Sequence, residues 1–530
     1  MPRIAPSRHV ERAAAGSPTR VRSAEGDPYA APVLPRRLVT RFLPIVLVVL
    51  VASAASAVPA AVAGAQSVAA AAPDATTLKW RACGDAFQCA TLPVPLDNAA
   101  PGGETIDLAL IRLPARDASR RIGSLVMNPG GPGGSAVDFV RSIAPTLPAE
   151  LRDRFDIVGV DPRGSGRSAP VECNYDMDAY YALDFSPDSP AERAALVDGV
   201  RKFVDACAVA EGDTLRHITT DDTVIDLDRV RAALGDDKLT FLGFSYGTYI
   251  GAKYAAAYPD HVRALVLDGA VDPSIDAKRM QVEQSAGFEG VLDRFLKWCA
   301  KDKRCAFHRQ GDPAGALDAL RARVDRDGLA VPDTRPARTL SQTELDLGLA
   351  AILYEGAAGY SYLGRALDDA DHGDGRAMAE LADSYTERAA DGSYGSIEDA
   401  FLAISCADGP AVGSVADVAD IEQAAAAVAP RTGPAIVNNS IACALWPFAG
   451  PAAAPVHAPG APAIVVVGTR HDPATPFAWA QSLATQLGSG VLISAPGAQH
   501  TSFGLGNQCV DGAVVRYLVD LRAPKQTLVC

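Results

Sequence analysis

The stretch Leu239-Thr240-Phe241-Leu242-Gly243-Phe244-Ser245-Tyr246-Gly247 is an apolar run that passes directly into Gly-x-Ser-x-Gly, and a helical pattern follows as far as Tyr258. Short apolar runs of this kind are buried parallel strands, so the motif falls on a strand-to-helix turn. A serine at such a turn holds a strained backbone conformation that exposes its hydroxyl, and glycine on either side removes side chains that would collide. The turn also leaves the next amide, that of Tyr246, free to meet an oxyanion. No second Gly-x-Ser-x-Gly occurs in the chain. An ordinary βα turn would explain the pattern alone, but the apolar strand before it favours Ser245 as a nucleophile on an α/β fold.

Outward from this segment, apolar runs at Gly123 to Met127, Phe155 to Val160, Ala264 to Leu267, Ala463 to Val467 and Val491 to Ser494 alternate with helix-like stretches. That alternation predicts a mostly parallel sheet with helices on both faces. Leu92 to Leu96 and Thr105 to Leu113, joined through Ala100-Pro101-Gly102-Gly103, read as an opening hairpin. Between about Pro273 and Ala461 the strand series stops, and amphipathic helical patterns such as Ala316 to Val324 and Leu345 to Leu353 replace it. The expected organisation is a disordered n-region and signal peptide over 1–65 and a first part of the core over 66–273. A largely helical cap with its linker follows the sixth core strand over 274–461, and the core ends with 462–530.

An activated serine needs a base, and the chain has eight histidines. His9 falls in the amino-terminal segment, His217 and His261 precede an element, His308 and His372 lie in polar stretches, and His457 is in the linker. His471 and His500 remain, each after a late strand. Hydrolases of this architecture run in the order Ser, then acid, then His, with acid and base on successive strand-end loops. Asp472 and His500 satisfy that order, whereas choosing His471 leaves His500 without a role. Thr475, in Asp472-Pro473-Ala474-Thr475-Pro476, is read either as a hydrogen-bond support of the acid loop or as a helix N-cap. Asn128-Pro129-Gly130-Gly131-Pro132-Gly133-Gly134 follows an early strand, where the second oxyanion donor is expected. Gly164-Ser165-Gly166-Arg167-Ser168-Ala169 formally matches a dinucleotide fingerprint, but Pro170 argues against a helix opening there. The triad chemistry is complete without a metal or cofactor.

Composition sets the compartment and excludes partners. The net charge of −14 argues against nucleic acid or an anionic membrane surface. Arg36, Arg37 and Arg41 precede the apolar run Phe42 to Ala52, and small-residue sites such as Ala55-Ser56-Ala57 and Ala61-Val62-Ala63 follow, as in a secretory signal. Any membrane contact is expected only through an uncleaved signal segment. All ten cysteines lie after this region with no Cys-x-x-Cys, which fits an oxidising compartment and argues against zinc. Pairing neighbours, 83 with 89, 173 with 207, 299 with 305, 406 with 443 and 509 with 530, closes the shortest loops. Arginine outnumbers lysine 40 to 9, which points to a GC-rich bacterial gene and a secreted or cell-envelope protein.

Several segments together resemble the secreted bacterial tripeptidyl aminopeptidases, α/β-hydrolase serine exopeptidases related to proline iminopeptidases. They are Gly130-Gly131-Pro132-Gly133, Asp161-Pro162-Arg163-Gly164-Ser165-Gly166-Arg167-Ser168, Gly243 to Thr248, Leu267 to Pro273 and Gly468 to Pro476. The resemblance implies Ser245 as nucleophile, Asp472 as acid, His500 as base, the Gly131 and Tyr246 amides as oxyanion hole, and a cap over the cleft. It also implies peptide or protein amino termini as substrates and release of short peptides. An esterase on the same fold is the alternative. Glu355 and Asp408 are weighed as partners for a substrate amine, with a structural role for each the more expected.

Overall fold

Alternate residues of each central strand enter different apolar clusters. Ile464 and Val466 pack with the helices Pro190–Glu211, Tyr246–Ala257 and Phe477–Gln486, while Val465 and Val467 pack with Ala136–Ile143 and Gln508–Asp520. A strand buried on both faces in this way must be apolar throughout, which is why the runs read so plainly in the sequence. The computed structural model describes residues 78–334, 336–409, 412–448, 450 and 452–530. The signal-peptide reading falls outside these residues.

The strands are β1 (Arg81–Ala82), β2 (Gln88–Pro95), β3 (Thr105–Leu113), β4 (Gly123–Asn128), β5 (Phe155–Val160), β6 (Leu239–Phe244), β7 (Val262–Asp268), β8 (Leu329–Val331), β9 (Arg338–Leu340), β10 (Ile464–Thr469), β11 (Gly490–Ala495) and β12 (Leu528–Val529). Ten of them form one sheet in the order β1, β2, β3, β5, β4, β6, β7, β10, β11, β12, and β8 and β9 pair separately. The opening pairs β1–β2, β2–β3 and β3–β5 are antiparallel, and every later pair in the large sheet is parallel. This is an α/β-hydrolase sheet, and it sends the loops after β4, β6, β7, β10 and β11 to one edge. The expected opening hairpin is present, with β2 beginning earlier than its apolar run indicated.

After β7 the chain leaves the sheet and returns only at β10. The first part of this excursion has an apolar core of its own, including Phe288, Phe295, Leu320, Leu349 and Leu367. Its later part does not. Helix Ile397–Asp408 buries Ile397, Ala400, Phe401 and Ile404 in the same cluster as the sheet. The five neighbour pairings of cysteine all occur, Cys83–Cys89, Cys173–Cys207, Cys299–Cys305, Cys406–Cys443 and Cys509–Cys530. Among the described residues no helix is long and apolar enough to cross a membrane.

Candidate active site

Ser245 begins where β6 ends. Its φ of 53° and ψ of −124° are strained for a side-chain-bearing residue, and helix Tyr246–Ala257 starts immediately after it. The turn is tight enough that a Cβ on Gly243 would stand 2.4 Å from the Gly247 carbonyl oxygen, so glycine is obligatory there. The Ser245 amide donates to the Asp268 carbonyl at the end of β7 (2.9 Å). Gly269, next along, lies against Cε1 of His500, so the serine turn and the histidine meet at the end of one strand.

His500 Nδ1 stands 2.7 and 2.9 Å from the two carboxylate oxygens of Asp472. A carboxylate accepts, so Nδ1 carries the proton and Nε2 the lone pair. Nε2 is buried and has no hydrogen-bond partner among the described residues. Asp472 also accepts the amides of Ala474 and Thr475, both at 2.9 Å. Thr475 therefore supports the acid through its main chain, while its hydroxyl lies 3.4 Å from His500 Nδ1. It is not an N-cap: helix Phe477–Gln486 is preceded by Pro476, which has no capping side chain.

The glycine loop follows β4. Gly130 N–H donates to Asn128 Oδ1 (2.9 Å), whereas the Gly131 amide faces no acceptor among the described residues. The end of this loop is tied down by Asp161, which accepts from Ser135 Oγ, Val137 N and Arg167 N, each at 2.9 Å. Burial pushes the Asp161 carboxyl up to about 6. The Gly164 to Ala169 stretch forms turns with no helix opening there, and a Cβ on Gly166 would stand 2.4 Å from Asp161 Oδ2, so that glycine makes room for this tie.

The chain matches the α/β hydrolase fold family over residues 123–308 and the TAP-like protein family over residues 429–530. It is 39% identical over 466 residues to serine protease Hip1 of Mycobacterium tuberculosis, covering 83% of this chain and 87% of that protein. It is 37% identical over 456 residues to carboxylesterase B of the same species, covering 84% and 86%. It is 31% identical over 459 residues to tripeptidyl aminopeptidase of Streptomyces lividans, covering 84% and 83%. The chain belongs to the TAP-like α/β-hydrolase family. It is a serine hydrolase with serine peptidases among its relatives.

In this TAP-like hydrolase the excursion contributes side chains that the sequence did not single out. Tyr354 accepts the His500 amide through its carbonyl (2.8 Å) and packs its ring edge-on to the imidazole at 5.2 Å. Its other face meets Phe288 and Tyr385, which line an aromatic cavity together with Tyr180, Tyr181, Phe185 and Phe401. Phe401 also borders the glycine loop, where a Cβ on Gly133 would stand 3.1 Å from its amide nitrogen. One carboxylate of the cavity wall, that of Glu398, pairs with no cation among the described residues. Burial, with Asp399 alongside, pushes it up to about 8 against a lowering contribution from the Tyr181 hydroxyl. The only sequence signal for it was an acid opening a helix, which is common.

Asp408, weighed as an amine partner, is instead buried against Thr220 and Tyr246. Its carboxylate accepts from Thr220 N (2.7 Å) and from the hydroxyls of Thr220 and Tyr246. Glu355 is half-buried at the end of helix Gln342–Leu353 and does not line the cavity. His471 is exposed. Partial burial of its ring, with Arg294 and Arg470 nearby, lowers its pKa.

Proposed function

We propose that this protein is a secreted serine exopeptidase that releases short peptides, of tripeptide size, from free amino termini. In this reading Ser245 Oγ attacks the scissile carbonyl while His500 Nε2 takes its proton, and Asp472 stabilises the imidazolium. The Gly131 and Tyr246 amides receive the oxyanion. His500 then passes the proton to the leaving amine, and water, deprotonated by the same imidazole, hydrolyses the acyl-enzyme. The segment 274–461 acts as the cap. Five disulfides accord with the secretory signal read in the sequence.

The observation that carries the exopeptidase reading is enclosure. Ser245, Asp472 and His500 are only 1%, 2% and 4% exposed, and an aromatic cavity holding a carboxyl group with no cation partner among the described residues lies one ring away from His500. An enclosed site admits a chain end, not a polypeptide running through. In this reading Glu398, held protonated below about 8 in the resting enzyme, releases its proton to solvent and pairs as a carboxylate with the substrate ammonium. Acetylating the amino terminus of a good peptide substrate should therefore abolish most of its turnover. Equal cleavage of free and acetylated peptides would refute the exopeptidase reading and favour the esterase reading, which the apolar cavity and the relative named carboxylesterase B support.

A further inference from the structure

One buried acid beside the triad has no part in the chemistry above. Asp268 ends β7 with no exposed surface. Its carbonyl accepts the Ser245 amide (2.9 Å). Its Oδ2 accepts the amides of Ser502 (2.9 Å) and Phe503 (2.7 Å), which directly follow the histidine loop residues His500 and Thr501. Its Oδ1 is buried with no hydrogen-bond donor among the described residues.

The arrangement has two consequences. Main-chain atoms on both sides of the proton transfer hang on one residue, because the serine turn is bonded to the Asp268 carbonyl and the histidine loop to its carboxylate. Thr501 between them has φ of 65°, an uncommon conformation for a β-branched residue that must be held by its surroundings. Its amide points at Asp472 Oδ2 (3.4 Å) while the next two point at Asp268, so the loop carrying the base is clamped by two acids from different strand ends. In addition, once Asp268 ionises above about 6, its negative charge in a dry site acts on any charge that forms nearby far more strongly than in water.

We propose that Asp268 is a positioning residue of the reaction, holding His500 in register with Ser245 and adding a second negative charge that favours the imidazolium. The titratable groups facing His500 are then Asp472 from the β10 loop, Asp268 from β7 and Tyr354 from the excursion. Those facing Asp268 are His500, which lowers its pKa, and Asp472, which raises it. Burial outweighs both interactions and leaves Asp268 at about 6. The proposal rests on the triad assignment.

The test is Asp268→Asn, which keeps the shape and one acceptor oxygen, with Asp268→Ser as a second neutral variant. Each is measured for thermal midpoint, fluorophosphonate labelling of Ser245, kcat, KM and the pH dependence of kcat/KM on one peptide. The expected result is a kcat about ten- to a hundredfold lower with KM held. The acid limb should also move to lower pH by roughly half a unit, because an imidazolium with one fewer anion beside it forms less readily. A merely structural aspartate would lower the thermal midpoint and leave the limb in place. A folded variant with unchanged kcat and acid limb overturns the proposal. Loss of Ser245 labelling on Ser245→Ala but not on wild type keeps the underlying triad standing in that event.

Discussion

At the carboxyl edge of the sheet, Ser245, Asp472 and His500 each stand on a short loop after a strand whose carboxyl end is buried. Across from them, Tyr354, Glu398 and Asp408 come from the excursion, Tyr354 from the end of helix Gln342–Leu353 and the two acids from opposite ends of helix Ile397–Asp408. Within the first set, the serine turn is bonded to a sheet strand and the acid is held by its own loop. Ser245 N reaches Asp268 O, and Asp472 collects the amides of its own loop. The second set works through side chains, packing and one main-chain bond, with Tyr354 against the imidazole and accepting the His500 amide, and Asp408 behind Tyr246. In the proposed function the strand ends supply reactivity. The helices, in the same reading, decide what reaches it.

The comparison breaks most decisively at the strand ends. Ser245→Ala should abolish fluorophosphonate labelling and cut peptide turnover by a factor on the order of 10⁵ or more. Asp472→Asn should cost about 10⁴, because an amide facing Nδ1 favours the wrong tautomer. Both variants should fold, since the losses are chemical. If Asp472→Asn keeps a near wild-type rate, the acid lies elsewhere and the two-acid clamp on the histidine loop loses one member.

A smaller, more selective effect is expected on the helical side. Glu398→Gln keeps the size of the side chain and removes the charge. Turnover of a peptide with a free amino terminus should fall about ten- to a hundredfold in kcat/KM. A small neutral ester, which has no ammonium group, should be hydrolysed at an almost unchanged rate. If both substrates lose equally, Glu398 supports the fold or the triad and not recognition, and the division of labour drawn above fails on that side.

These two outcomes follow the same line as what was legible in the sequence. Strand ends were readable because burial on both faces forces unbroken apolar runs, and Ser245, Asp472 and His500 follow such runs in the order that the architecture requires. The glycine loop was readable because close backbone approach excludes side chains. The excursion was readable only as amphipathic helices. Glu398 and Asp408 are acids on helices, where solvated acids abound, and nothing local distinguishes one that faces a cavity from one that faces Tyr246. Thr475 illustrates the limit at short range: its support of Asp472 runs through the amide, which every residue except proline possesses, and residue identity says nothing of it. Asp268 was part of a quoted motif, but its bonds to Ser502 and Phe503 join strands far apart in the chain.

The smallest effect is in stability, and its sign follows from linkage. Burial and Asp399 raise the Glu398 carboxyl to about 8 in the folded protein, whereas an unfolded glutamate titrates near about 4.3. Between those values the folded state binds more protons than the unfolded one, so this group makes stability fall as pH rises through the window. Glutamine does not titrate and carries no such slope. Glu398→Gln should therefore match wild type near the lower bound and exceed it by a few degrees in thermal midpoint near pH 8, once other slopes common to both proteins are subtracted. A variant that is more stable where it is less active on free amino termini is what a recognition carboxylate kept without a cation predicts, since the charge costs the resting enzyme and is repaid only by substrate. If wild type is the more stable of the two at pH 8, the carboxylate is already satisfied within the protein, and the ammonium of the substrate must be recognised elsewhere in the enclosed site.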